Sequence, residues 1–112
     1  MKPRSFATLT LAVAVTLAAA PVLAQDMAAR SLAATCFTCH GTNGNSVGGV
    51  PPSLAGRPSG ELFQIMKDFQ AGKRPATIMH QQARGYTDAQ LRTIAAYFAA
   101  VKPAPAATPA KP

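Results

Sequence analysis

Two cysteines, two histidines and four carboxylates are all that 112 residues provide of the side chains that most often do chemistry. The two histidines, His40 and His80, stand far apart, so a zinc site built on four close ligands has too few candidates. Asp26, Glu61, Asp68 and Asp88 are the only acids and form no dyad, and no nucleophile stands beside a base, so catalysis by the polypeptide alone is unsupported. No strand-like alternation surrounds the cysteine pair, which leaves a dithiol oxidoreductase without its βαβ context. No internal repeat is visible. Lysine and arginine outnumber acids 11 to 4, giving a formal charge of +7, but the basic residues are scattered. With no helix-turn-helix, zinc-finger or RNA-binding signature, nucleic acid is a poor partner, and the basic surface suits solubility or docking to something acidic. Past residue 24 no apolar run approaches the roughly 20 residues that cross a membrane.

What is there is Cys36-Phe37-Thr38-Cys39-His40. C-x-x-C-H is the pattern through which a c-type haem is attached to protein. Two thiols three positions apart on a tight turn can each add to one vinyl group of a single porphyrin. The next residue, His40, is carried beneath the ring by the same turn, where its imidazole can take an axial position on iron. A dithiol redox motif, half a zinc site and coincidence are the competing readings, and the absences above count against the first two. The haem reading also answers a problem of size. A small chain needs a staple, and with both cysteines consumed no disulfide is available, so the macrocycle would supply the apolar centre.

Met1–Ala24 reads as an export signal: Lys2 and Arg4 form a charged end, Phe6–Ala20 is an apolar run broken only by threonines, and Val22-Leu23-Ala24 suits a signal peptidase. A retained membrane anchor is disfavoured by Pro21 and the shortness of the run. No cysteine near the cut suggests a lipid anchor. Export would place residues 25–112 in the periplasm, soluble and without stable membrane insertion. That is where c-type haem is attached.

Asp26 can cap a first helix with Met27, Ala28 and Leu32 near one face. Gly41–Gly56, with five glycines, Pro51 and Pro52, should be an irregular loop at one haem edge. Ser59 can cap a second helix in which Leu62, Ile65, Met66 and Phe69 recur at helical spacing before Gly72 ends it. Thr87-Asp88-Ala89-Gln90 is a capping box, and Leu91, Ile94, Ala95 and Phe98 form the stripe of a third helix that Pro103 stops. The Pro/Ala-rich tail, 103–112, has no face to bury and reads as disordered spacer, leaving 25–102 as one domain. The fold class is all-α, about three main helices around one haem.

An electron carrier is served by a second strong axial ligand, which keeps the iron geometry similar in both oxidation states. Met27 lies just before the anchor and Met66 falls in an apolar stripe where packing explains it. Met79, in the connector Gly72–Gly85, is far enough from His40 to come round to the other haem face. His80 is the rival, though two adjacent residues cannot both ligate without distortion. Met79 is the preferred reading, its thioether favouring ferrous iron and a raised potential.

The run Cys36–His40, followed by Gly41–Gly48 and by Pro52-Ser53-Leu54-Ala55-Gly56, resembles the class I c-type cytochromes. Phe69-Gln70-Ala71-Gly72, Thr77-Ile78-Met79, Gly85-Tyr86-Thr87-Asp88 and Ala96-Tyr97-Phe98 resemble more particularly the cytochrome subunit of flavocytochrome c sulfide dehydrogenase. The resemblance spans roughly Leu32–Val101. It implies a cytochrome c fold with one covalent haem c, Met79 as distal ligand, and a Pro52 carbonyl that holds the proximal imidazole. It also implies one-electron transfer in the periplasm, from a flavoprotein subunit carrying FAD to another carrier or oxidase. Some members have two haem domains, whereas one motif is present here. A free-standing carrier serving an oxidase or another dehydrogenase is the second expectation. A ligand-binding or peroxidase-like haem protein with an open distal side is the third.

The cleavage site makes a direct prediction. Mature protein isolated from cells should begin at Gln25, and a mass retaining Met1 would identify a membrane anchor instead.

Overall fold

The residues that recur at helical spacing form the buried side of a helical fold. The computed structural model describes residues 23–105; all of the export signal but Leu23 and Ala24, and the tail beyond residue 105, lie outside them. Helix α1 covers 23–33 and passes through a 3₁₀ turn, Ala34–Cys36, into the short α2, Phe37–His40. A second 3₁₀ turn, Thr42–Gly44, opens the loop to α3 (Ser59–Gln70), and α4 (Met79–Arg84) and α5 (Asp88–Ala100) complete the chain. No strand occurs among the described residues, as the all-α expectation requires.

The capping box of α5 forms in full: Gln90 N–H donates to Thr87 Oγ1 at 3.2 Å, and Thr87 N–H donates to Gln90 Oε1 at 2.9 Å. Such a cap contributes about 1 kcal/mol and starts the helix at Asp88. Leu91, Ile94, Ala95 and Phe98 then fall on one buried face. Ile94, Ala95 and Phe98 meet Leu62 of α3 and Ala33 of α1 in a single apolar cluster. Phe98 stands edge-on to both Phe37 and Tyr97, with ring centroids 6.1 and 5.3 Å away, the geometry that aromatic quadrupoles favour. Of the α3 stripe, Leu62 and Phe69 are buried, while Ile65 and Met66 are half-buried.

Four expectations are corrected. Asp26 does not cap α1, because the helix is already under way at residue 23. Ser59 is the first residue of α3, not its cap; Pro58 holds the cap position, and no side chain bonds to the open N–H groups. The connector Gly72–Gly85 contains α4, whose single turn and a half is too short and too polar to reveal a period. The cysteine pair sits on a continuation of right-handed helical backbone, with Ala33 and Cys36 both in the α region, where a separate tight turn was expected.

The start of the tail also departs from a free spacer. Ala104 N–H donates to Asn45 Oδ1 at 2.6 Å, and the Pro103 ring lies so close over Gly56 that a Cβ there would come within 2.4 Å of Pro103 Cγ. A chain ending at Lys102 should therefore be less stable than one ending at Pro105 by on the order of 1 kcal/mol, the net worth of a hydrogen bond with some ring burial. Urea denaturation of the two truncations measures this, and equal midpoints would return Pro103 and Ala104 to the spacer.

Candidate haem site

Cys36 ends the 3₁₀ turn and Cys39 lies in α2, so a three-residue separation on helical backbone turns both thiols toward one side. Neither is in a disulfide; Cys36 is half-buried and Cys39 exposed. Burial pushes the Cys36 thiol above its ordinary pKa, a Thr35 hydrogen bond pulls the other way, and Cys39 adds to the rise. Reactive dithiols show the opposite shift.

His40 closes α2 and is 8% exposed, the one buried polar side chain among the described residues. Its Nδ1 lies 2.7 Å from the carbonyl oxygen of Pro52. A carbonyl only accepts, so Nδ1 carries the proton and donates, which leaves the lone pair on Nε2. That tautomer is the one a metal-bound imidazole needs, and the hydrogen bond fixes the ring plane.

Pro52 reaches His40 because the loop between them is pinned at several points. Gly41 leaves α2 at φ +83°, where a Cβ would stand 2.0 Å from Asn45 O. Gly44 has φ +77° and lies under the Phe98 ring, with its absent Cβ 2.6 Å from Phe98 Cδ1. The Gly44 carbonyl accepts from Leu54 N–H and Ala55 N–H at 2.8 and 3.1 Å, and Ser46 N–H donates to Ser53 Oγ at 2.9 Å. The loop thus doubles back with Pro52 on the inner limb.

Met79 is the first residue of α4 and is half-buried, as is its neighbour His80. The far end of α4 is held by Gln70 of α3, whose Nε2 donates to the carbonyls of Ala83 at 2.8 Å and Tyr86 at 3.1 Å. Ala83 is fully buried. Tyr86 in turn meets Thr35, beside Cys36, with 2.6 Å between Oη and Oγ1. Gln70 and Tyr86 lie in runs that carry the family resemblance, but nothing in residue type or spacing assigns them these bonds, and Thr35 before a cysteine is ordinary at a surface.

Among the described residues no three His, Cys, Asp or Glu side chains converge to chelate an ion. The donors do fit a covalent haem: two unpaired thiols on one helical turn, a buried imidazole with Nε2 open, and a thioether on a separate arm. Large apolar side chains on the same connecting segments, Val47, Val50 and Ile78, are left exposed. An apolar macrocycle is compatible with such a surface.

The profile of the cytochrome c family matches residues 26–102. The cytochrome subunit of sulfide dehydrogenase of Chlorobaculum tepidum is 40% identical over 67 residues, 60% of this chain and 60% of that one. Cytochrome c4 of Pseudomonas aeruginosa is 40% identical over 75 residues, 67% of this chain and 37% of its own. The thiosulfate dehydrogenase electron acceptor of Thiomonas intermedia is 36% identical over 73 residues, 63% of this chain and 33% of its own. In each case the match spans less than two thirds of the relative's length. Since the family profile extends from α1 to just beyond α5 of an all-helical fold, the chain belongs to the cytochrome c family, electron-transfer proteins with covalently bound haem c.

Proposed function

We propose that this chain is a periplasmic single-haem carrier in which Cys36 and Cys39 would hold the haem covalently, His40 Nε2 and the Met79 sulfur would ligate its iron, and Pro52 orients His40. The observation that carries the reading is the buried imidazole next to Cys39 with Nδ1 committed to the Pro52 carbonyl. The haem, when bound, supplies a one-electron iron couple. Pro52 holds the His40 ring plane, with Nε2 left free to bind. A thioether at Met79 raises the potential relative to a nitrogen ligand and occupies the position that a substrate would need. The polypeptide therefore passes electrons on without transforming a substrate of its own.

The donor is a flavoprotein that oxidises sulfide, and the electrons pass on to another cytochrome or an oxidase. Support comes from the resemblance of Thr77-Ile78-Met79 and Gly85-Tyr86 to the sulfide dehydrogenase cytochrome subunit, and from the similarity to the Chlorobaculum protein. A free-standing carrier is the second reading, favoured by the likeness to a protein named as the electron acceptor of thiosulfate dehydrogenase. Flavin that co-purifies with the chain from its native cells supports the first, and flavin-free monomer supports the second. No helix among the described residues is long and apolar enough to cross a membrane.

Met79 separates an electron carrier from a ligand-binding haem protein. The oxidised protein should show the weak near-infrared sulfur-to-iron charge-transfer band, and Met79→Ala should abolish it, lower the potential and let the reduced iron bind carbon monoxide. Met66→Leu should keep the band at a cost under about 1.5 kcal/mol, as a volume-conserving swap does. Loss of the band in Met66→Leu with retention in Met79→Ala reverses the assignment. A wild type that lacks the band and binds carbon monoxide readily is the open-iron protein instead.

The anchor has its own test. With Cys36 and Cys39 both replaced by Ala, haem should be lost on denaturation and acid-acetone extraction, because no thioether remains. Covalent haem persisting in that variant would end the assignment.

A further inference from the structure

We infer that Tyr86 and Thr35 are positioning residues for the iron, a hydrogen-bonded strut that holds the Met79 arm against the segment carrying the cysteines. The inference rests on the Met79 reading above. Thr35 precedes Cys36 in the 3₁₀ turn, and Tyr86 follows α4 by two residues, so their 2.6 Å contact joins the attachment segment to the arm that begins at Met79. Thr35 Oγ1 also lies 3.1 Å from the Leu32 carbonyl, which can only accept. The Cys36 sulfur, 3.9 Å away, is a weak competitor for the same proton. The single Thr35 hydroxyl proton goes to the carbonyl, and Tyr86 is then the donor in the strut.

Among the described residues the other side-chain hydrogen bonds of the arm end at α3 and not at the attachment segment. Gln70 fixes the Ala83 and Tyr86 carbonyls to α3 and says nothing about the distance to Cys36. Residues 71–78, which lead into Met79, are all exposed, so the arm has no buried side chain before α4. An arm loose on its N-terminal side depends on what restrains its C-terminal side. Tyr86 supplies that restraint twice, through its carbonyl to Gln70 and its hydroxyl to Thr35, while its ring packs against the apolar core. Losing the hydroxyl alone leaves ring packing and the Gln70 bond in place. The arm then opens more often, and Met79 leaves the iron more often, with the covalent attachment untouched.

Ligand exchange on the ferric holoprotein reads this directly. At saturating imidazole the rate of binding is set by opening of the Met79 bond. Tyr86→Phe and Thr35→Val should each raise it on the order of fivefold, the factor of one net hydrogen bond. The double variant should rise no further than either single one, because both remove the same bond. Thr35→Ser keeps an acceptor and donor in place and should stay near the wild-type rate. Ile94→Val, a core deletion that leaves both hydroxyls of the strut in place, should lower the melting temperature without raising the rate. Wild-type rates in both single variants, or an equal rise in Ile94→Val, overturn the strut. A wild type without the sulfur-to-iron band overturns the Met79 reading itself and the strut with it. The band present throughout with unchanged rates overturns the strut alone.

Discussion

The bond between His40 Nδ1 and the Pro52 carbonyl is the contact on which the site depends, because a buried imidazole must have its donor satisfied and its acceptor aimed at once. A helix end alone cannot do this. His40 closes α2, and the partner it needs is 12 residues away on a loop with no secondary structure of its own beyond one 3₁₀ turn. The loop reaches back because Gly41 and Gly44 take backbone angles that other residues resist, and because Phe98 of α5 fills the space that a side chain at 44 would need. Orientation of the ring is thereby tied to the packing of α5, since Gly56 N–H also donates to the Phe98 carbonyl at 2.8 Å.

The other arm is organised by polar contacts rather than burial. Asp88 pairs with Lys67 at 2.7 Å, Lys67 also reaches Gln70 Oε1 at 2.7 Å, and Gln70 holds α4 through two carbonyls. The surface end of that chain contributes little by itself, as exposed ion pairs do. Its Gln70 end is different, because there one side-chain amide donates to two part-buried carbonyls at once, those of Ala83 and Tyr86. A core of nine buried apolar residues among those described is small for a chain of this length, and four of the nine are alanines. Covalent haem supplies apolar volume where such a chain is short of it.

What was legible in the sequence followed from strict local rules. C-x-x-C-H demands particular atoms at particular spacing, and the Thr87–Gln90 box and the α5 stripe are short-range patterns that tertiary contacts only reinforce. Where the reading failed, either the adjacent backbone or a longer-range contact decided. Asp26 and Ser59 are good caps in isolation, but α1 begins before Asp26, and Pro58, with φ −55°, opens α3 one residue before Ser59. Helix α4 has no apolar stripe to announce it, since it is held by Ala83 and Gln70 rather than by a buried face. Pro103 looked like a stop signal because its ring cannot continue a helix. Its contact with Gly56 depends on a loop that no local rule places.

The relatives divide the problem differently. A sulfide dehydrogenase subunit and a thiosulfate dehydrogenase acceptor are similar to this chain at 40% and 36% identity over much the same length, yet their names point to different donors. Residues that every such protein needs, the thiols, the imidazole and the packing under it, cannot be what distinguishes those donors. Discrimination between redox partners is a difference in encounter and docking, governed by exposed charge and shape. In this chain two of the four acids, Glu61 and Asp88, are engaged by Arg57 and Lys67, so the charge that a partner meets is set mainly by the remaining basic side chains. Haem attachment and partner choice are therefore separable properties of one small fold: the first is written in a five-residue motif and its braces, the second in residues that fold and cofactor leave free to vary.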